Sequence, residues 1–478
     1  MLIFRLTAPA GLTWSHGGSD GAELALMAFY GGIAHPPGYG LYLTGGWLIT
    51  RLPFAPLAAL LVWYSLITAS VACLLTGLST HLLLAKHSSQ RDPVPILTTM
   101  LVLGLSFSFW SQAIIIEVYA LMACLFSALL ALSLAPNRPA WNFLLTAHLF
   151  GLALTHHLTA LLWLPGLLLL IGHRLPTRLW LGMGLSFVLG LWPYAYLLVR
   201  AGQVPFANWG GIETGFQAFW DHLSSGIYRA YLEPISLQGL LGGISEWVVG
   251  LPQDLAVIGL LLALVGVLSL WQRRDPSGSL WNRRALAAML IWCIAISAFT
   301  GIYDAKATEG PYRLPLTIIL AILAGIGSAR LARPLRPFVL LTTVALLLLT
   351  HYAKVDLSMD RAVADFIAET EALLPEKAVV IAGSDERTFA LWYAHFVEGI
   401  GPDWILVDRN LAQFTWYQAN MARVYPALPP PTLPLDAWLR DLPAAYVDYT
   451  VASDVMMLPP PGYRSQRAGS WMVLVPQS

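Results

Sequence analysis

Two carboxylates stand three positions apart in Thr13-Trp14-Ser15-His16-Gly17-Gly18-Ser19-Asp20-Gly21-Ala22-Glu23, just ahead of an apolar helical stretch. At a helix start, that spacing puts Asp20 and Glu23 on one face about 5–6 Å apart, a separation suited to an acid/base pair or a divalent metal site. The same spacing is that of a capping box, with Asp20 as N-cap and Glu23 at N3, which needs no catalysis. The local pattern leaves both readings open, and both can hold together. The setting weighs toward chemistry, because the pair lies at the outer edge of an apolar bundle and is soon followed by His35-Pro36-Pro37-Gly38-Tyr39-Gly40. His35 reads either as a ligand or proton carrier or as a surface histidine before a rigid bend. After it, Tyr39 to Leu52 reads as a second amphipathic helix lying in the membrane interface.

Four more ionisable residues belong with these. Glu117, in Phe109-Trp110-Ser111-Gln112-Ala113-Ile114-Ile115-Ile116-Glu117-Val118-Tyr119, lies near the outer end of a span, where a charge is costly and more often functional than a cap. His156 and His157 fall at the outward meeting point of two helices, as an interfacial polar pair or as part of a site. Arg313 follows Tyr312 at the outer mouth of a span, with Asp304 and Lys306 just before it. Snorkelling explains an arginine there, and so does phosphate capture. Trp110, Trp163 and Trp192 read as belt or core aromatics.

The elements that must position these residues are membrane helices. Of 478 residues, 57% are hydrophobic and 11% charged, too few charges for a chain that must solvate its own surface. Apolar runs at 55–85, 94–109, 114–135, 141–172, 179–199, 251–271, 285–302, 312–329 and 337–350 are long enough, singly or as pairs, to cross a core of about 30 Å. With 141–172 split near His156 and His157, they predict about ten to eleven transmembrane helices, because open strands would leave backbone groups unpaired in lipid. Cys73, Cys124 and Cys293 lie inside apolar spans and read as core thiols. A formal net charge of zero gives no reason to expect a nucleic-acid partner.

Basic residues fix the expected orientation. Lys86 and Arg91, Arg138, Arg174 and Arg178, Arg273, Arg274, Arg283 and Arg284, and Arg330, Arg333 and Arg336 all fall in loops on one side, the cytoplasmic one by the positive-inside rule. The other side receives 12–53, 200–250, 303–312 and everything after Tyr352. Residues 1–353 are therefore read as a transmembrane domain with those external loops, and 354–478 as a soluble extracytoplasmic α/β domain. In that tail, Val379 to Ile381, Trp404 to Val407 and Trp471 to Val475 read as strands, Phe389 to Phe396 as a helix and Leu428 to Leu433 as a Pro-rich connector. Met1 to Gly11 reads as the stump of a first helix, too short for the roughly 20 residues a span needs, so the reading frame is expected to extend upstream.

Taken in order, Ser19-Asp20-Gly21-Ala22-Glu23, Gly32-Ile33-Ala34-His35-Pro36-Pro37-Gly38-Tyr39, Phe109-Trp110-Ser111-Gln112-Ala113 with Glu117-Val118-Tyr119, Leu154-Thr155-His156-His157, Asn208-Trp209-Gly210 and Pro193-Tyr194-Ala195-Tyr196 resemble one membrane family. It comprises the bacterial relatives of the vertebrate transmembrane O-mannosyltransferase of receptor ectodomains, within the GT-C class of polyprenol-dependent glycosyltransferases. The likeness extends more loosely to Phe389-Ala390-Leu391-Trp392-Tyr393 and Glu398-Gly399-Ile400, while Gly40 stands where the family commonly has proline.

The resemblance implies an inverting glycosyltransferase of the cell (inner) membrane, its active site and tail outside the cytoplasm. It would move a hexose such as mannose from a polyprenyl phosphate to a hydroxyl of a protein, glycan or lipid. Asp20 matches the acidic residue of the first external loop and is expected as general base, with Glu23 beside it. His35, Tyr39, Glu117, His156, His157 and Arg313 are expected at the donor phosphate or substrate. A divalent metal, magnesium or manganese, on Asp20, Glu23 or His35 is a further possibility. The rival readings are a transporter or flippase of a lipid-linked saccharide, which should show inverted repeats and broken midplane helices that this sequence does not display, and a scaffold whose tail binds a partner.

Overall fold

A computed structural model of the chain describes residues 1–85, 92–172, 175–272, 276–303, 310–428, 448–454, 459 and 462–477. Lys86, Arg91, Arg174, Arg273, Arg274, Asp304, Lys306 and most of the Pro-rich connector lie outside the described residues. The helices in chain order are α1 (Leu2–Thr7), α2 (Gly21–Tyr30), α3 (Gly40–Ile49), α4 (Leu57–Ala85), α5 (Val94–Leu105), α6 (Phe107–Ala113), α7 (Tyr119–Leu134), α8 (Ala140–His156), α9 (Leu164–Ile171), α10 (Thr177–Gly190), α11 (Pro193–Arg200), α12 (Phe216–Leu223), α13 (Leu237–Gln272), α14 (Pro276–Ile302), α15 (Leu314–Ser328), α16 (Leu335–Val355), α17 (Ala362–Leu373), α18 (Asp385–Phe396) and α19 (Thr415–Val424). They divide between two compact units.

The first unit comprises Met1–Ala8, Trp63–Ala195 and Ile227–Ser358. Among the described residues, five helices are individually long and apolar enough to cross a membrane: Leu57–Ala85, Thr177–Arg200, Leu237–Gln272, Trp281–Ile302 and Leu335–Val355. A sixth crossing arises if α5 and α6, bent by 69° at Ser106, count as one span, and Tyr119–Leu134, Leu158–Ile171 and Leu314–Ser328 are shorter apolar helices. The split of 141–172 expected near His156 and His157 is present, with α8 ending at His156, while the runs at 94–109 and 114–135 are divided more finely than their hydropathy foretold. The breaks fall at Ser106, at Ile114–Val118 and at His157. The run read over 251–271 falls largely in the second part of α13, which kinks at Ala256 (φ 56°), and the part before the kink, from Leu237, takes the end of the expected 200–250 loop.

Close helix packing in this unit depends on small residues. A Cβ added to Gly266 would stand 2.0 Å from the Leu323 carbonyl oxygen, and one on Gly327 would stand 1.9 Å from that of Leu262, so α13 and α15 approach backbone to backbone. Buried hydroxyls join other helices, Thr76 to Ser127 at 3.0 Å and Thr80 to Thr99 at 2.8 Å. The Trp110 indole N–H donates to Thr7 Oγ1 at 2.9 Å and ties down α1.

The second unit gathers Pro9–Val62, Tyr196–Gly226 and Met359–Ser478. Its centre is a five-stranded sheet in the order β2-β1-β3-β5-β4, with β1 (Ala378–Ala382), β2 (Ile405–Asp408), β3 (Thr450–Ser453), β4 (Tyr463–Ala468) and β5 (Trp471–Pro476). The first three run parallel, with Val380 opposite Leu406 and Ala452, and β5 and β4 close the sheet antiparallel. The strands read near 379, 404 and 471 are thus β1, β2 and β5. β1 is buried along its whole length, as its unbroken Ala-Val-Val-Ile-Ala run requires. β3 and β4 went unread because Thr450–Ser453 is short and Tyr463–Ala468 is mostly polar.

Helix α18 crosses from β1 to β2 and packs against α2 and against the 3-10 turn Ser15–Asp20. Polar contacts fasten the same seam. Trp14 donates its indole N–H to the Glu386 carbonyl at 3.2 Å, Tyr30 its hydroxyl to the Phe396 carbonyl at 2.6 Å, and Thr13 and Ser15 donate to the Asp360 carboxylate at 2.5 and 3.1 Å. The tail and the Asp20 segment are therefore parts of one packed body.

Candidate active site

The Asp20 segment enters α2 through a tight turn in which His16 and Gly17 take positive φ angles of 59° and 80°. Asp20 occupies the N-cap position, but its side chain makes no capping hydrogen bond, and Glu23 does not reach back to it. The reciprocal capping box is absent. Instead both Glu23 oxygens are taken by His35: the main-chain N–H donates at 2.8 Å and ring Nδ1 lies at 2.5 Å. The carboxylate is fully buried, and burial, opposed by His35, holds its pKa above the ordinary glutamate value.

Local sequence explains why His35 arrives there. Gly31 ends α2 in the left-handed conformation, and Ile33 then pairs with Asn208 as a parallel bridge, donating to the Ala207 carbonyl at 2.8 Å. The turn across the cis Pro36-Pro37 bond closes with the Gly38 N–H on the His35 carbonyl at 2.9 Å. Tyr39 follows with φ 43°, unusual for a residue with a side chain, and caps α3. That backbone sets the Tyr39 hydroxyl 3.1 Å from His35 Nε2, which also lies 3.6 Å from the Asp20 carboxylate. The His35 ring meets Tyr39 and Trp209 edge-on at 5.1 and 6.0 Å. Asp20, Glu23, His35 and Tyr39 form one constellation, with Asp20 its part-exposed member (31%).

A third carboxylate, which the sequence reading did not single out, belongs to this neighbourhood. Asp385 opens α18, and partial burial and the Asp20 charge raise its pKa while His35 opposes. Its position directly after a buried parallel strand, where α/β sheets present ligand-facing residues, was the available signal.

The other expected site residues lie in the first unit. Glu117 is buried in the break between α6 and α7, and its Oε2 accepts from the Val118 N–H at 3.2 Å. His156 donates from Nε2 to the Val118 carbonyl at 2.8 Å. The His157 ring packs on Tyr312 and Tyr119, at 5.2 and 6.2 Å, and its Nδ1 accepts from the Thr159 N–H. Arg313 donates to Thr300 Oγ1 and to Glu246, both at 3.2 Å. It lines a cavity of about 400 Å³ with Glu246, Asp254, His351 and Lys354. Asp254, unforeseen, accepts from the Ser108 N–H and hydroxyl at 2.8 and 2.9 Å.

Among the described residues, no group of three or more His, Cys, Asp and Glu side chains is arranged to hold a metal ion. The Asp20, Glu23 and His35 set does not fit one as it stands, because His35 occupies both Glu23 oxygens and both His35 ring nitrogens face protein partners.

The apolar helices and the small α/β region together match a known membrane fold, GT-C. The structure superposes on the crystal structure of ArnT from Cupriavidus metallidurans bound to undecaprenyl phosphate with a TM-score of 0.61 at 13% identity, covering 99% of this chain and 96% of that one. The apo ArnT structure matches at 0.59 and 14% identity, covering 99% and 95%. The chain is a multi-pass membrane protein of that fold.

Beyond the fold, the sequence is similar to proteins named as protein O-mannosyl-transferases. The family model described as the protein O-mannosyl-transferase TMEM260 N-terminal domain matches residues 20–179. Protein O-mannosyl-transferase TMEM260 of Mus musculus is 27% identical over 481 residues, covering 91% of this chain and 64% of that protein. The Dictyostelium discoideum protein of the same name is 21% identical over 467 residues, covering 85% and 56%. The chain thus spans less than two thirds of the length of these curated relatives.

Proposed function

We propose that the chain is an inverting glycosyltransferase that moves a mannose or similar hexose from a polyprenyl phosphate to a hydroxyl of a protein, glycan or lipid acceptor. The reaction would take place on the extracytoplasmic side of the inner membrane, the side opposite the basic loops. The observation that carries this reading is the part-exposed Asp20 carboxylate backed by the buried Glu23–His35 pair. The names of the relatives and the lipid phosphate bound by ArnT support the choice of sugar and donor.

In the reaction, the acceptor oxygen attacks the anomeric carbon from the face opposite the phosphate and inverts it. The new C–O bond forms as the sugar–phosphate bond breaks, and the bonding electrons leave with the polyprenyl phosphate. Asp20 accepts the hydroxyl proton. His35 Nε2, 3.6 Å away, can relieve Asp20 of it, because Glu23 on Nδ1 holds the tautomer in which Nε2 is the basic nitrogen. In the membrane unit, Arg313, His156 and His157 are proposed to serve the donor phosphate and Glu117 the substrate.

Mass spectrometry of lipid-linked sugars and glycosylated acceptors, in cells with and without the protein, tests the function. Loss of a hexosylated acceptor with accumulation of the hexosyl polyprenyl phosphate is expected. An unchanged acceptor profile with a donor lipid stranded on one leaflet would favour a flippase instead.

A further inference from the structure

A second histidine stands beside the Glu23–His35 pair with no role in the chemistry above. His222, near the end of α12, is 3% exposed, and its ring fills the gap between two glycine turns. A Cβ added to Gly38 would meet His222 Nε2 at 2.9 Å, and one on Gly210 would meet Nδ1 at 2.5 Å. Both glycines hold positive φ angles, 90° and 78°, so neither position accepts a side chain on backbone grounds or on space.

The two turns are the ones that bear on His35. Gly38 closes the Pro-Pro turn onto the His35 carbonyl, and Gly210 follows Trp209, whose N–H donates to the Ile33 carbonyl at 3.3 Å and whose ring lies 6.0 Å from that of His35. Burial, together with the nearby His35, pushes the His222 pKa down to about 3, and the Ala34 backbone lies beside the ring. The imidazole is therefore neutral at any working pH and acts through its shape.

We propose that His222 is a positioning residue: wedged between Gly38 and Gly210, it fixes the turn that keeps His35 Nδ1 on Glu23 and Nε2 toward Asp20. The proposal rests on the reading of His35 as Asp20's proton partner. A shift of about 1 Å in a reacting group costs on the order of a hundredfold in rate. His222→Ala, which empties the gap, should therefore lower kcat by about ten- to a hundredfold with little change in KM for the lipid donor. His222→Phe, a ring of similar volume, should restore most of the loss.

The experiment measures sugar transfer from a synthetic mannosyl polyprenyl phosphate, with thermal unfolding alongside, for wild type, His222→Ala, His222→Phe, His35→Ala and the His35→Ala/His222→Ala double variant in detergent. A residue acting through His35 adds nothing once His35 is gone, so the double variant should turn over as slowly as His35→Ala alone. A second reading needs no turnover. The proton on His35 Nδ1, shielded from solvent by its hydrogen bond to Glu23, should give a slowly exchanging ring N–H resonance in histidine-labelled protein, present in wild type and His222→Phe and lost in His222→Ala. Wild-type protein without transfer would overturn the glycosyltransferase reading and leave His222 to be judged on that resonance. Full activity of His222→Ala, an undiminished His222→Ala penalty in the His35→Ala background, or a resonance that survives His222→Ala would each overturn the positioning role.

Discussion

A carboxylate cut off from water must find donors for its lone pairs or take up a proton, and Glu23 finds both donors on one residue. That arrangement predicts what an amide would do in its place. Glu23→Gln keeps a carbonyl for the His35 main-chain N–H but turns an NH₂ toward Nδ1. The ring must then accept there and carry its proton on Nε2, facing Asp20, where it can no longer receive one. Transfer should fall by about 10² to 10⁴-fold with a change of only a few degrees in unfolding temperature. A Glu23→Gln protein with wild-type turnover would remove His35 from the proton path. The identities of these residues were legible in the sequence: Asp20, Glu23, His35 and Tyr39 were read as candidates and the structure brings them together. Their wiring was not, since the i,i+3 spacing of Asp20 and Glu23 suits a capping box equally well, and only the returning turn decides that Glu23 serves His35.

At the scale of elements, the parallel strands end in a buried acid with a measurable signature. Asp408 closes β2 with no exposed surface, accepting from the Thr388 hydroxyl and the Leu411 N–H. Burial raises its pKa to about 6. The unfolded chain releases this proton near pH 4 and the folded one near pH 6. The contribution to stability is therefore fully present below about pH 4, falls as pH rises between about 4 and 6, and is flat above, a loss of about 3 kcal/mol over the window. Asp408→Asn should flatten that segment of the stability–pH curve, measured by denaturant unfolding of the full protein from pH 4 to 7. A wild-type curve that rises across the same window would contradict the assignment. Element types were largely readable, because long apolar runs and an unbroken Ala-Val-Val-Ile-Ala strand leave few alternatives. Of the breaks, the one at His157 was readable from its histidine pair, whereas those at Ser106 and Ile114–Val118 were not, since they interrupt helices inside apolar sequence where hydropathy carries little signal.

The molecule as a whole combines a membrane unit that depends on glycine contacts with a second unit assembled from three distant stretches. The sequence displayed the tail as a change of composition near residue 354. That the tail's α18 packs on α2 is a long-range pairing of two apolar surfaces, which one-dimensional pattern does not record. Orientation remains a prediction of charge. A cysteine at Tyr228 should react with a membrane-impermeant reagent in intact cells and one at Arg138 should not, and the reverse pattern would invert the scheme.

The central claim is that Asp20 takes the acceptor's proton, and the direct measurement is sugar transfer by purified Asp20→Asn protein from a defined mannosyl polyprenyl phosphate, with thermal unfolding recorded on the same sample. Asparagine serves an N-cap position as well as aspartate, and Asp20 makes no side-chain cap bond to lose, so the unfolding temperature should hold. Turnover should fall by about 10² to 10⁴-fold, because an amide cannot accept a proton at neutral pH. A folded Asp20→Asn protein that transfers sugar at close to the wild-type rate would contradict the account.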